Sequence, residues 1–241
     1  MKKHTSIAMI LVAELAVSAL NGCGGGGSSV ATAPPASFDL QAGIAGLASN
    51  GQTATVTLSG TATASGTAVP FTGSGTLTLA PDASATFNGE GALSQTQTIS
   101  GTVSADGQSA PYSSSLIDYY ATGDYAFLGE SGTSRYDVAQ APFEYPTVVM
   151  AGSSGTLGTV SDYSDSTMSV SQGTTQVTYA VTAVSGSSSS VMVAITDQVD
   201  DTQNNLVETD VTNYNLTNTG VLTFVSGTVQ NASESLQVVV Q

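Results

Sequence analysis

The side chains best suited to contacting a ligand lie in one aromatic-rich segment, residues 112–145. Eight aromatic residues fall there, together with Arg135, the only Lys or Arg after Lys3. Tyrosine rings can stack on sugars while their hydroxyls bond to ligand oxygens, and a guanidinium can hold a carboxylate or phosphate through two parallel hydrogen bonds. We therefore consider a site for a glycan or a protein partner that consists of Arg135, Tyr119, Tyr120, Tyr125 and Tyr136.

The same segment also has a structural interpretation. If it forms a binding site, Tyr119, Tyr120 and Tyr125 should be partly exposed on one face of the body. If it is structural, the rings fill the hydrophobic core, which needs about this many large side chains. Arg135 would then pair with a nearby carboxylate, and the candidates are Asp124, Glu130 and Asp137.

Oxygen-bearing side chains cluster between two predicted strands in the C-terminal half. The cluster consists of Asp197, Asp200, Asp201 and Asn204, and a smaller pair elsewhere consists of Asp162 and Asp165. Hard cations such as Ca²⁺ bind carboxylate and amide oxygens, so calcium is the one cofactor that these residues suggest. Asp and Asn are also the usual residues of tight turns, where their side chains bond to nearby backbone groups, so an ordinary turn is the alternative.

The residue counts exclude most catalytic chemistries. The chain has one His and one Cys, and its His and both lysines occur at positions 2–4. Without them the body cannot form a Ser-His-Asp triad, a Cys-His pair, a Schiff-base lysine, a P-loop or a His/Cys zinc site. With 18 Asp and Glu against 3 Lys and Arg, the chain is also a poor partner for nucleic-acid phosphates. We therefore predict that the protein is not an enzyme and does not bind nucleic acid.

One enzymatic class needs only two carboxylates and is not excluded by residue type. Glycan hydrolases use a pair of Asp or Glu residues on either side of the bond that they cleave. The sequence contains no recognisable acid motif for such a pair. A deep pocket with two facing carboxylates would favour this remote alternative.

The first 23 residues have the pattern of an export signal. Two lysines precede a mostly apolar run, residues 7–20, which is too short to span a membrane. The run ends in the motif LNGC at residues 20–23, which contains the only cysteine. This motif resembles the lipobox of bacterial lipoproteins, except that Asn21 replaces a small residue. The resemblance implies that a signal peptide, residues 1–22, is removed and that Cys23 is acylated and anchors the protein to a membrane.

The same resemblance indicates which membrane holds the anchor. In enteric sorting, an Asp directly after the lipidated cysteine retains a lipoprotein in the inner membrane, and this chain has Gly24 there. The resemblance therefore implies the outer membrane, and leaves open whether the body lies at the cell surface or in the periplasm. Residues 23–36, rich in Gly, Ser and Pro, read as the lipidated cysteine and a flexible tether.

The body is predicted to be all-β. From Phe38 onward polar and apolar residues alternate, and turn residues recur about every 8–12 positions. No segment after the tether has a helical pattern of sufficient length. Short turns between the strand candidates predict an antiparallel β-sandwich-like body. The clearest candidates are residues 53–63, 76–79, 176–184, 191–197, 206–216, 221–230 and 236–240.

A change in composition divides the body into two predicted modules. Residues 37–110 are rich in Thr, Ser and Ala, whereas residues 111–241 contain the Tyr-rich segment and a C-terminal antiparallel meander. Because small side chains bury little apolar area, the first module should pack against the second. Seven Ser-Gly-Thr tripeptides follow no regular period, so we interpret them as marks of strand ends.

The body is also similar to a group of uncharacterised β-rich lipoproteins of proteobacterial envelopes. The similarity rests on residues 125–129 (YAFLG), 145–149 (YPTVV), 151–155 (AGSSG) and 162–166 (DYSDS). It implies location and β architecture, and it transfers no functional residue. We expect a lipid-anchored envelope protein without catalysis, a binding or adhesion module for a glycan or an envelope protein. The alternative is a structural spacer or an outer-membrane assembly accessory, and the oligomeric state is left open.

Overall fold

A computed structural model describes residues 36–64 and 66–241. The predicted signal peptide, Cys23 and the tether through residue 35 lie outside this part of the chain. The described part contains one helix, α1 (Leu40–Asn50), and 13 strands. The strands are β1 (Gln52–Ala64), β2 (Thr67–Leu79), β3 (Ala83–Phe87), β4 (Glu90–Ala105), β5 (Gln108–Tyr120), β6 (Phe127–Gly132), β7 (Arg135–Phe143), β8 (Ser154–Tyr163), β9 (Ser171–Ala183), β10 (Ser190–Asp201), β11 (Leu206–Thr217), β12 (Leu222–Asn231) and β13 (Ser235–Val240).

Twelve of the strands form one closed antiparallel barrel. From β4 to β13 each strand pairs with the next, β13 pairs with β1, β1 with β2, and β2 with β4, which completes the ring. The short strand β3 pairs with β4 and lies outside the ring. The all-β prediction and the antiparallel pairing are confirmed. The predicted sandwich is wrong, because a single sheet closes on itself and so leaves few unpaired strand edges.

Glycines allow the sheet to curve where β2 pairs with β4. Gly75 stands directly opposite Gly101 in this pairing. A Cβ atom on Gly75 would lie 2.5 Å from the carbonyl oxygen of Ser100, and one on Gly101 would collide with the backbone of Ser74. Both glycines belong to Ser-Gly-Thr tripeptides, which here lie inside strands, so our interpretation of them as strand-end marks is wrong at these positions. A sheet bends most sharply where side chains are missing, and this corner helps to make a barrel.

The helix α1 covers one end of the barrel. Asp39 caps its N-terminus by accepting a hydrogen bond from the backbone N–H of Ala42 at 2.9 Å, and Gly51 ends it with φ of 66°. Its buried face includes Leu40, Ile44 and Leu47. The sequence pattern did not predict this helix. Within the described ranges no helix is long and apolar enough to cross a membrane.

The two ends of the barrel differ in how well they are filled. At the end covered by α1, the helix end, the side chain of Gln95 donates to the carbonyl oxygen of Leu47 at 3.0 Å, which ties the sheet to the helix. At the opposite end, the hairpin end, tight connections join β1 to β2, β4 to β5, and β6 to β7. Along β2 the inward side chains change from buried at Leu77 and Leu79 to half-buried at Phe71, so the interior becomes more open toward the hairpin end.

The predicted boundary between two modules falls within a strand. Residues 110 and 111 both belong to β5, and strands from both sides of this boundary belong to the same sheet. One hydrophobic core extends over the two predicted modules and includes Val56, Leu77, Val193 and Val238. The two predicted segments therefore share one barrel in the described part of the chain.

Candidate functional site

The barrel encloses a cavity of about 170 Å³ between the core beneath α1 and the hairpin end. Its apolar side consists of the rings of Tyr120, Tyr145, Tyr214, Phe127, Phe143 and Phe224, with aliphatic side chains between them. Its polar side contains five carboxyl groups and the guanidinium of Arg135. A cavity lined by both aromatic rings and charged groups resembles small-molecule sites in general, where apolar walls hold the ligand and a few polar groups orient it.

Six acidic side chains form what we term the acidic belt of the barrel interior. Four of them lie on the consecutive strands β5 to β8, each directly opposite the next. The other two lie on β10 and β11, again directly opposite each other. Like charges at opposite positions destabilise a sheet, so this arrangement costs folding free energy. Such local conflicts are expected at functional sites. The belt consists of Asp118, Glu130, Asp137, Asp162, Asp197 and Asp210.

Arg135 neutralises one part of the belt. Its Nε atom lies 2.9 Å from Oε1 of Glu130 and also pairs with Oδ2 of Asp137. Burial acts to lower the pKa of Arg135, but Glu130 and Asp137 raise it well above its ordinary value, so the group is a permanent cation. The carboxylate of Asp118 accepts a hydrogen bond from the side chain of Gln97 at 2.8 Å. These three side chains therefore have partners within the protein, although Oδ1 of Asp137 has no hydrogen-bond donor among the described residues.

The pair on β10 and β11 lacks such partners. Asp210 is only 3% exposed, and no described residue donates a hydrogen bond to either of its carboxylate oxygens. Asp197, directly opposite, has no donor in the described chain for Oδ1. Native proteins hydrogen-bond the great majority of buried polar atoms, and leaving a buried acceptor without a donor costs about 1–3 kcal/mol. Three buried oxygens of two neighbouring carboxyl groups thus have no hydrogen-bond donor among the described residues.

Burial also makes the carboxyl groups hold their protons more strongly than usual. Burial raises the pKa of Asp197 to about 6, although Arg135 acts against the shift. Burial, reinforced by Glu208 and Asp197, raises the pKa of Asp210 well above its ordinary value. The pKa of Asp162 rises to about 7, first because of burial and then because of the neighbouring Asp137. The acidic belt therefore changes its negative charge over the pH range near neutrality.

The structure separates the five residues of the predicted ligand site into three places. Arg135 and Tyr120 line the cavity. Tyr119 and Tyr136 both stack on Phe87 of β3, with ring centroids 4.5 Å and 5.3 Å from it. The hydroxyl of Tyr125 donates to the carboxylate of Asp82 at 2.8 Å and lies 2.8 Å from Oγ of Ser49 in α1. The ring of Tyr120 therefore lines the cavity, and the rings of Tyr119 and Tyr136 pack β3 against the barrel. Tyr125 attaches the helix.

The residues of the predicted calcium site are also separated. Asp197 lines the cavity, whereas Asp201 lies at the hairpin end and accepts hydrogen bonds from the backbone of Gln203 and Asn205 at 2.8 Å and 2.9 Å. Asn204 occupies the same turn, with φ of 59°. Asp200 is the remaining member and is half-exposed. Across residues 36–64 and 66–241, no group of three or more Asp, Glu, His or Cys side chains is placed to hold a metal ion.

Most of the acidic belt was not identified from the sequence as a site. The alternation of inward and outward positions along each strand could have identified these interior carboxyl groups. Asp118 lies between Leu116 and Tyr120 at every second position, and all three line the cavity. Asp210 likewise precedes Leu216 by an even number of residues on β11, and both point inward. A carboxylate in the apolar phase of a strand therefore marks an interior group, because successive side chains point to opposite faces.

Comparisons with known proteins add little to this geometry. No family model matches the chain, and no curated protein is similar to it in sequence. Among solved structures, that of a DUF1329 family protein from Desulfovibrio piger is similar over 83% of this chain and 89% of its own, at 9% sequence identity and a TM-score of 0.24. At this TM-score the similarity carries no conclusion about fold or function.

Proposed function

We propose that the protein is a lipid-anchored envelope component whose barrel binds a small ligand in its interior without catalysing a reaction. The observation that supports binding is the cavity of about 170 Å³, which contains buried carboxylate oxygens without a described donor. A core that served stability alone would be expected to pair these groups or to replace them with apolar side chains. The ligand would enter from the hairpin end, where the interior is more open.

Binding is tested by the thermal unfolding of the purified protein in the presence of a panel of small amines, sugars, nucleosides and carboxylic acids. A ligand of the folded barrel should raise the melting temperature in a concentration-dependent way. Thr212→Leu places extra bulk in the cavity and should abolish the shift, whereas Thr76→Leu makes the same change at an exposed position and should not. If no compound raises the melting temperature, the spacer or assembly-accessory role replaces the binding role.

The lipid anchor is proposed from the motif at residues 20–23 and is tested separately. Metabolic labelling with a palmitate analogue should mark the wild-type protein, and Cys23→Ser should remove both the label and membrane association. Ser28→Ala, a small change in the same predicted tether, should remove neither. An unlabelled wild-type protein in the soluble fraction would contradict the anchor. Proteinase K treatment of intact cells then distinguishes the cell surface from the periplasmic face.

A second candidate function, hydrolysis of a glycan, is favoured by one observation. Asp197 and Asp210 lie side by side on neighbouring strands and line the cavity, and both have a raised pKa, as the acid of such a pair requires. Hydrolysis predicts new reducing ends from an envelope glycan, and their loss in Asp210→Asn. Binding without catalysis predicts no new reducing ends with either protein, so the two functions give opposite results.

A further inference from the structure

We infer that the ligand of the cavity is a small organic cation, an ammonium group on a short hydrocarbon chain, which binds between Asp197 and Asp210. This inference rests on the proposed function, since it names the class of ligand that the cavity takes. The two carboxyl groups stand at directly opposite positions of β10 and β11. Side chains at such positions have Cβ atoms about 4.5–5.5 Å apart, so a single small group can contact both.

The first support is the charge of the cavity. Five carboxyl groups line it against one guanidinium. Arg135 forms its ion pairs with Glu130 and Asp137, and it acts on the carboxyl groups of β10 and β11 only at longer range, where it does not offset the effect of burial. An anionic ligand would meet a surplus of negative charge, and a neutral one would leave that charge unchanged. A cation is the ligand that removes the conflict between the opposed carboxyl groups.

The second support is the hydrogen-bond geometry. Among the described residues, neither carboxylate oxygen of Asp210 has a hydrogen-bond donor, and Oδ1 of Asp197 has none either. Asp210 is 3% exposed, and the side chains of both residues line the cavity. An ammonium group has three N–H donors and no acceptor, which matches three acceptors without donors.

The third support is the aromatic part of the cavity lining, which distinguishes an organic cation from a metal ion. Tyr214 lines the cavity with Tyr120 and Tyr145, next to the carboxyl groups. Aromatic faces attract ammonium groups and also pack against the hydrocarbon that carries them. A metal ion would instead need several oxygen ligands around one point, and no such group of side chains occurs in the described residues.

The test is calorimetric titration of the purified full chain at pH 8 with 1,4-diaminobutane. Its matched probes are 1,4-butanediol, which has the same length without charge, and succinate, which has the same length with negative charge. Calcium chloride is titrated as a metal without hydrocarbon. We expect saturable binding of the diamine and none of the diol, succinate or calcium.

Two substitutions locate the binding. Asp197→Asn and Asp210→Asn remove one charge each with almost no change of shape, and each should weaken diamine binding about tenfold or more. Asp106→Asn removes the same charge from an exposed turn and should leave binding unchanged. Asp210→Asn also removes a like charge opposite Asp197, so we expect it to fold at least as stably as the wild type. Loss of binding in that variant is therefore not a result of unfolding.

The remaining outcomes separate this inference from the proposed function. Saturable binding of the diol, of succinate or of calcium alone would overturn the inference and leave a ligand-binding barrel. Diamine binding that Asp106→Asn weakens as much as Asp210→Asn would overturn it too, because the attraction would then be general. If no probe binds and no compound in the thermal panel raises the melting temperature, both the inference and the binding function fail.

Discussion

Replacing Asp162 by Asn should stabilise the protein, and only above about pH 4. Asp162 is 5% exposed and stands opposite Asp137 on β7. Its Oδ2 accepts a hydrogen bond from Thr175 at 2.9 Å, and no described residue donates to Oδ1. Asn has nearly the same shape and can still accept the bond from Thr175 through its own oxygen. The substitution thus removes the charge and keeps the packing.

The expected magnitude follows from the pKa of the buried carboxyl group. Burial raises the pKa of Asp162 from 3.8 to about 7, Asp137 and Asp197 add to this, and Arg135 opposes it. Below about pH 4 the group is protonated in the folded and unfolded chains alike and has no effect on stability. As the pH rises the unfolded chain releases its proton first, so the free energy of unfolding falls until the folded group also ionises near pH 7. The full cost is about 4 kcal/mol, and relaxation of the surroundings leaves an expected gain of about 2–4 kcal/mol for Asp162→Asn at pH 8.5.

The assay is urea unfolding at pH 4.5 and at pH 8.5, followed by tyrosine fluorescence, since the chain has nine Tyr and no Trp. The difference between Asp162→Asn and the wild type should be small at the lower pH and large at the higher one. Asp106→Asn, at an exposed turn, should change stability by less than about 0.5 kcal/mol at both. An equal effect of Asp162→Asn at both pH values, or a loss of stability at pH 8.5, would refute the reasoning.

Three further substitutions test other parts of the structure, each by urea unfolding. Arg135→Met leaves two buried carboxylates without their cation and should cost about 3–5 kcal/mol at pH 8.5 and less at pH 4.5, where they take up protons; an equal loss at both would contradict the ion pairs. Gly129→Ala should cost more than about 2 kcal/mol, because its φ of 155° disfavours a side chain and a Cβ atom would collide with Phe87. Gly91→Ala, which has open space around it, is its control and should be nearly neutral. Tyr125→Phe removes the hydroxyl that holds Asp82 and α1, and should cost about 1 kcal/mol and speed amide exchange in the helix; unchanged exchange would contradict that attachment.

The strands could be predicted from the sequence because their signal is local. The candidates at residues 176–184, 191–197, 206–216, 221–230 and 236–240 coincide with β9 to β13, since alternation and short turns define each hairpin by itself. The barrel could not be predicted in the same way. A strand with one buried face has the same pattern in a sandwich and in a barrel, and closure depends on the pairing of β1 with β13 and of β2 with β4.

The helix and the cavity could not be predicted from the sequence, for two different reasons. Gly43 and Gly46 weaken the helical tendency of α1, and a Cβ atom on Gly43 would lie 2.9 Å from Cδ1 of Leu216, so this glycine lets the helix pack closely on a buried side chain. In the cavity, Arg135 and Tyr120 were predicted as site residues and do line it, whereas Asp210 was not considered. Side chains from distant strands meet only once the sheet has closed, so spacing along the chain could not bring them together.

The pairing of the first strand with the last also determines when the barrel can form. Thr57 of β1 and Val239 of β13, joined by a hydrogen bond, are 182 residues apart in the chain. Contacts at such separation form slowly, since most of the chain must be ordered before they give any stability. Until β13 arrives, β1 and β12 each present an unpaired edge to which another chain could add. We therefore expect folding to begin in the local hairpins and to finish at β13, so that a chain ending before Ser235 would aggregate rather than form a smaller barrel.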